Sequence, residues 1–346
     1  ITLTKQTLQS AQKVQAVIVN SGNANACTGD QGLEDAKTMQ KVTAETFQIN
    51  DEHVAVASTG VIGERMPMDK IVTHISKVEM GETAEHAEAF GEAILTTDTF
   101  AKAVCCETKI DGKTVTISGA AKGSGMIEPN MGTMLAFITT DAVIESDILH
   151  TLLKEVVDRT FNSITVDGDT STNDMVLVMA SELAGHETLT ETHPDWQNFV
   201  VAFEYVCQSL AKQIARDGEG ATKLIEVEVT GSKSDVEAQQ IAKAIVGSSL
   251  VKTAVFGADA NWGRIIAAVG YSGADINPDT IDLSLGPIQL LKQSQPCEYS
   301  EEEATEYLKN DTVQLFVNLH YGEGEAKAWG CDLTYDYVKI NASYRT

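Results

Sequence analysis

The chain has 346 residues, enough to bury a large core in two domains or one elaborate one. A hydrophobic content of 43% and 26 glycines describe an ordinary globular protein rather than a disordered one. Asp and Glu number 50 against 25 Lys and Arg, and the net charge of -25 argues against a phosphate-tracking surface, hence against nucleic acid as a partner.

Gln9 to Gln15 leads into the apolar strand Val17-Ile18-Val19, which ends at the polar run from Asn20 to Gly29. Ala36 to Phe47 has helical periodicity, and Val54 to Ala57 reads as a second strand ending at Ser58-Thr59-Gly60. Helices are predicted at Met68 to Val78, Ala84 to Leu95 and Ser146 to Phe161, and strands at Lys113 to Ile117 and Met134 to Thr139. The apolar run Met175 to Ala180 follows Thr165-Val-Asp-Gly-Asp-Thr-Ser-Thr-Asn-Asp174. Phe199 to Arg216 is a helix that stops at Asp217-Gly218-Glu219-Gly220, before the strand Leu224 to Val229. Ala238 to Val246 reads as a helix, Thr253 to Phe256 as a strand and Ile265 to Val269 as a helix after the loop Asn261 to Arg264. Thr312 to Leu319 and Leu333 to Ile340 alternate apolar and polar residues, so the tail reads as β-rich. No period repeats, and a domain boundary is expected near residue 228, giving units 1–228 and 229–346.

Six cysteines (Cys27, Cys105, Cys106, Cys207, Cys297, Cys331) are too sparse for a disulfide framework, and none forms a C-x-x-C pair. They read as reduced thiols. With no secretory signal pattern and no apolar run near the roughly 20 residues that span a bilayer, a cytoplasmic place without a membrane partner is expected.

Several chemistries are poorly supported. Asp167-Gly-Asp169-Thr-Ser171 resembles the start of a calcium loop but lacks the glycine at its sixth position, and Val178 stands where the bidentate Glu belongs. Capped turns, or a place beside an active site, are the remaining uses of those carboxylates. Gly123-Ser-Gly125 is too short for a dinucleotide fingerprint, and no phosphate-binding G-x-x-x-x-G-K-[ST] occurs. The seven histidines show no metal-ligand spacing, and no G-x-S-x-G elbow is present. No cofactor and no metal are therefore expected.

Three loops carry better signals. Thr59-Gly60 could offer a hydroxyl and a backbone N–H to an oxyanion, or be a plain strand-ending turn. Glu219 sits at a helix end whose dipole favours cations, which suits either a ligand ammonium or a solvated carboxylate. In Lys122-Gly-Ser-Gly-Met-Ile-Glu-Pro-Asn-Met-Gly132-Thr133-Met-Leu-Ala, a hydroxyl residue opens a strand behind a residue with no Cβ. Attack of that hydroxyl on the preceding carbonyl would cut the chain between Gly132 and Thr133. The freed α-amine, with an ordinary pKa of about 7.7–8.0, could then serve as base for its own hydroxyl. A buried strand opening after a turn is the other reading of the same residues.

Taken together, Val17 to Gly29, Ser58-Thr-Gly-Val-Ile-Gly63, Thr96-Thr-Asp-Thr99, Lys122 to Leu135, Asp217-Gly-Glu-Gly-Ala-Thr-Lys223 and Asn261-Trp-Gly-Arg264 resemble the ornithine acetyltransferase (glutamate N-acetyltransferase, ArgJ) family of arginine biosynthesis. The resemblance runs from about residue 14 to Thr346. It implies an α/β fold, an αββα sandwich of the kind shared with DmpA-type aminopeptidases, with a smaller C-terminal α+β domain whose tail returns to the active site. It implies self-cleavage before Thr133 into α and β chains that pair as (αβ)2. The activity implied is transfer of acetyl from N-acetylornithine to glutamate. Some members also use acetyl-CoA, a further candidate partner. Carried over by position, Thr133 would be the nucleophile, and Thr59 with Gly60 the oxyanion hole. Thr99, Lys122, Thr133, Glu219, Asn341 and Thr346 would line the substrate.

Two departures accompany the resemblance. Gly132 stands where the family more often has alanine, which would loosen the cleavage geometry. Family members also carry a further segment before the position numbered 1 here. Two rival functions remain to be separated: an N-terminal-nucleophile aminopeptidase or amidase with water as acceptor, and a non-catalytic acidic scaffold.

Overall fold

The computed structural model describes residues 1–11, 13–128 and 134–343. Gly132, Thr133 and Thr346 therefore lie outside the described residues. In chain order come α1 (Thr2–Ala11), β1 (Ala16–Asn23), α2 (Gly29–Phe47), β2 (Val54–Val61), α3 (Met68–Ile75), α4 (Ala84–Ala93), β3 (Lys102–Ile110), β4 (Lys113–Lys122), β5 (Leu135–Thr140), α5 (Ser146–Arg159), β6 (Met175–Ala180) and α6 (Trp196–Arg216). The remainder holds β7 (Leu224–Ser232), α7 (Asp235–Gly247), α8 (Ser249–Phe256), α9 (Trp262–Tyr271), β8 (Asp282–Leu285), β9 (Ile288–Lys292), β10 (Gln295–Pro296), α10 (Glu301–Tyr307), β11 (Thr312–Asn318), β12 (Gly324–Cys331) and α11 (Tyr335–Ser343).

The period of two along β5 sets the layering of the first half. Ala136 and Ile138 face a core shared with Leu149, Leu152 and Val156 of α5 and Phe199, Phe203, Val206 and Leu210 of α6. Leu135 and Phe137 face the other way, toward Ala55 and Ala57 of β2, Val17 and Val19 of β1 and Leu177 of β6. The sheet β3-β4-β5-β6 is thus buried on both faces, by helices on one side and by the parallel pair β1-β2 on the other. Beyond that pair, Val56 and Ile18 pack on Ala36 and Met39 of α2 and Ile75 of α3. Burying each such large side chain contributes roughly 1.5–3 kcal/mol, so every layer is anchored twice.

The second sheet has the order β10-β9-β8-β11-β7-β12, with β11 parallel to β7 and β12 antiparallel to it. Its core joins Val227 and Val229 of β7 and Leu315 of β11 to Ile241 and Ile245 of α7 and Ile265 of α9. Residue 228 falls inside β7, whose partners β11 and β12 belong wholly to this second sheet.

Three local expectations are corrected. Thr253 to Phe256 is not a strand: it closes α8, which starts where the Ser248 side chain accepts the Val251 amide. Leu333 to Ile340 is likewise not a strand. The Thr334 hydroxyl accepts the amides of Asp336 and Tyr337 and opens α11, which has no buried residue to hold a sheet face. The strands β1 and β2 also run on through Asn20 to Asn23 and Ser58 to Val61, because those polar residues pair with each other in one parallel ladder.

Candidate active site

Six separated segments converge on one cavity of about 180 Å³. The end of β2 supplies Thr59 and Gly60, the α4–β3 loop supplies Thr96 and Thr97, and β4 ends on Lys122. The segment before β6 contributes Asp167, Asp169 and Asn173, the α6–β7 turn Glu219, and α11 Tyr337 and Asn341. Of the expected site residues, Thr59, Gly60, Lys122, Glu219 and Asn341 are brought together here. Thr99 does not line the cavity.

Gly60 has φ +124°, and a Cβ there would stand 2.3 Å from the carbonyl carbon of Gly22, its partner across the ladder. Only glycine lets the two backbones approach and turn in this way. Thr59 is buried, and its Oγ1 accepts a 3.2 Å hydrogen bond from Lys122 Nζ. The same ammonium donates to Thr96 Oγ1 at 2.9 Å. Both hydroxyls use acceptor capacity on the lysine and keep their own O–H as a donor.

Lys122 is held from behind by a buried ionic network. Its Nζ lies 3.7 Å from Asp98 Oδ2, and Asp98 Oδ1 accepts from Lys102 Nζ at 2.7 Å and the Gly123 amide at 2.6 Å. Lys102 Nζ also donates to Asp217 Oδ2 at 2.6 Å. Asp217 accepts the Thr99 amide at 3.0 Å and the Thr99 hydroxyl. Thr99 thus belongs to this network. Burial depresses the Lys122 ammonium below its ordinary range, a pull that the Asp98 carboxylate partly offsets. For Asp98, burial raises the carboxyl, but Lys122, Lys102 and the Gly123 amide together outweigh it and leave it lowered.

The opposite acid–base character comes from Asp174, directly before β6. Its carboxyl is buried and neither oxygen makes a hydrogen bond of good geometry among the described residues. Burial pushes it up to about 8, with the Met134 amide and the Lys122 charge drawing it back only in part. The Met175 amide bonds the Met134 carbonyl at 2.9 Å, so Asp174 stands beside the entry to β5.

Glu219 is placed by its neighbours. Its amide donates to the Ser124 carbonyl at 3.0 Å, and Ser124 Oγ donates to the Asp217 carbonyl at 2.7 Å. A Cβ on Gly125 would lie 2.4 Å from the Glu219 carboxyl, so the bare glycine makes room for it. Asn341 Nδ2 donates to Glu219 Oε2 at 2.8 Å, and Thr334 Oγ1 ties the start of α11 to the Gly220 carbonyl at 2.7 Å. Among the described residues the arrangement offers one ammonium, the hydroxyls of Thr59 and Thr96, and the carboxylates of Asp167, Asp169 and Glu219 around a space the size of a small amino acid derivative.

Sequence reading missed Thr96, Asp98, Lys102, Asp174 and Asp217. The run Thr96-Thr-Asp-Thr99 pointed to the right loop but could not tell one threonine from another. Among the described residues, only Asp111, His193 and Asp195 gather three ligand atoms within 4.8 Å. They lie at the β3–β4 turn outside the cavity, and bonds such as Asp111 amide to Asp195 Oδ2 at 2.9 Å already occupy them.

The whole of the sequence, residues 1–346, matches the model of the ArgJ family. It is 64% identical over 344 residues to the arginine biosynthesis bifunctional protein ArgJ of Geobacillus kaustophilus (strain HTA426), covering 99% of this chain and 84% of that protein. The protein of the same description from Halalkalibacterium halodurans is 63% identical over 345 residues, covering 99% and 84% respectively. Among solved structures, the arginine biosynthesis bifunctional protein argJ from Bacillus halodurans is similar at 66% identity with a TM-score of 0.60. That match covers 60% of this chain and 98% of the solved chain.

Proposed function

The chain belongs to the ArgJ family, and from that premise we propose that it is a glutamate N-acetyltransferase working through an acetyl-threonine at Thr133. The precursor cuts itself between Gly132 and Thr133, and the two chains stay together in a cytoplasmic (αβ)2 assembly. The observation that carries this reading is the convergence of Thr59, Gly60, Lys122, Glu219 and Asn341, from four segments, on one cavity. The length of the solved Bacillus halodurans chain adds support: nearly all of it is matched by 60% of this chain, close to the share lying from Thr133 onward.

In the first half-reaction Thr133 Oγ attacks the acetyl carbon of N-acetylornithine, and its proton passes to the Thr133 α-amine. The oxyanion is held by the Thr59 hydroxyl and the Gly60 backbone, whose donors typically contribute a few kcal/mol each. As the carbon–nitrogen bond breaks, the proton goes to the leaving nitrogen and ornithine departs. Glutamate then enters, its amine attacks the ester carbonyl, and the Thr133 oxygen recovers a proton as N-acetylglutamate forms. Lys122 holds the carboxylate common to both amino acids, and Glu219, fixed by Asn341, orients the attacking or leaving amine. Thr96 shares the Lys122 ammonium and belongs with the substrate residues, as Thr346 does by the family resemblance, while Thr99 acts from behind the cavity through Asp217, Lys102 and Asp98. Acetyl-CoA is an alternative donor to the same threonine.

The layer order α5/α6, four-stranded sheet, β1-β2 pair, α2/α3 supports an αββα sandwich followed by a smaller C-terminal α+β domain, divided near residue 228. The direct test supplies N-acetylornithine with and without glutamate. Acetyl transfer with parallel double-reciprocal lines supports the proposal. Ornithine release at the same rate without glutamate would instead favour an amidase that uses water.

A further inference from the structure

The cavity is charged asymmetrically. Among the described residues, its charged lining consists of Lys122 against three carboxylates, Asp167, Asp169 and Glu219. Lys122 is matched by Asp98 behind it and Glu219 is engaged by Asn341. Asp167 is fully committed: it accepts the Met126 amide at 2.7 Å, the Ile127 amide at 2.9 Å and the Tyr337 hydroxyl at 3.3 Å. Asp169 differs from all of these. Its amide turns back on Asp167 Oδ1 at 3.4 Å through Gly168, and the next residue, Thr170, is pinned to the Glu128 carbonyl at 2.9 Å. Its backbone is therefore held on both sides, while its carboxylate makes no hydrogen bond or ion pair among the described residues. An exposed carboxylate at a cavity wall, tethered through its backbone and with its charge uncommitted, is suited to a mobile cation.

We propose that Asp169, positioned by Asp167, is the specificity residue that receives the side-chain ammonium of the acetyl donor. This deepens the acetyltransferase reading and rests on it. N-acetylornithine carries its only positive charge on that side chain, because its α-nitrogen is acylated. Glutamate, entering the same space, brings a carboxylate at the corresponding end. The Asp169 charge thus favours the donor and opposes the acceptor, and it holds the product ornithine back as an inhibitor.

The two substrates make the test sharp. In the full-length D169N variant, the KM for N-acetylornithine should rise about 3–10-fold, the scale of a partly exposed charge contact. The KM for glutamate should stay level or fall, with Tm unchanged, and D169E should restore the donor KM. A donor KM that does not move, or both KM values rising together, overturns the assignment. Failure of the wild type to transfer acetyl at all would remove the functional reading instead. In that case calorimetric titration with L-ornithine and with L-norvaline, which lacks the side-chain amine, still decides the matter. A wild-type preference for ornithine that disappears in D169N supports the cation subsite, and equal binding of the two ligands by the wild type contradicts it.

Discussion

Asp174 would ionise near 3.8 in an unfolded chain, but its buried carboxyl in the fold holds a proton up to about 8. Between those values the native state binds more protons than the unfolded one, so this residue lowers stability as pH rises through the window, by at most about 1.4 kcal/mol per pH unit. Replacing it by Asn removes the ionisation. The unfolding free energy of Asp174→Asn relative to wild type should therefore grow between about pH 5 and pH 8, as read by urea denaturation at both ends. A difference that stays flat across the range would mean that the carboxyl ionises normally in the fold. Asp98 makes the complementary case. Asp98→Asn leaves Lys102 and Lys122 short of a buried counter-charge, and a loss of about 3–5 kcal/mol is expected in the same measurement. At this scale the sequence was readable where a residue's chemistry is visible on its own: a hydroxyl beside a glycine, a lysine in a glycine loop, a Glu between glycines. It was silent where the meaning lies in pairing. Thr99 and Asp217 are 118 positions apart, and nothing local says that they meet.

Among elements, β2 and α11 carry the site. Gly60→Ala would place a methyl 2.3 Å from the Gly22 carbonyl carbon in a backbone region that L side chains rarely adopt. At least about 1–3 kcal/mol of stability should be lost, together with nearly all activity, because the strand end that presents the oxyanion donors must shift. Wild-type activity and Tm in this variant would show that β2 relaxes freely there. Asn341→Ala should behave differently, since α11 buries none of its residues. Removing one bond to a charged carboxylate is worth about 1.5–3 kcal/mol, so kcat/KM should fall roughly 10- to 100-fold with little change in Tm. A large fall in Tm with unaltered kinetics would assign Asn341 to the fold alone. Periodicity located β1, β2, β4, β5, β7, β11 and most helices. It failed at Leu333 to Ile340, where alternating aromatic and β-branched residues imitate a strand and a single threonine cap turns the chain into helix. It also passed over β3 and β12, which pair with β4 and β7, and the strands β8 to β10, which are too short to show a period.

Across the whole molecule, three sheets and their helices bring together residues from Thr59 to Asn341, most of the length of the chain. That layout was legible only through resemblance to a family, because strand order and layer stacking depend on contacts that no local pattern encodes. The family resemblance, carried by loops spaced along the sequence in the expected order, points to Thr59, Gly60, Lys122, Glu219 and Asn341, which the fold brings to one cavity. The chain belongs to the ArgJ family, and the chemistry proposed for it turns on Thr133. Its most direct test is the intact mass and N-terminal sequence of every fragment in the purified full-length protein, before and after incubation with N-acetylornithine. The account predicts two fragments, the second beginning Thr133-Met134-Leu135 and becoming one acetyl group heavier on that threonine. A single uncut chain that takes up no acetyl group would contradict it.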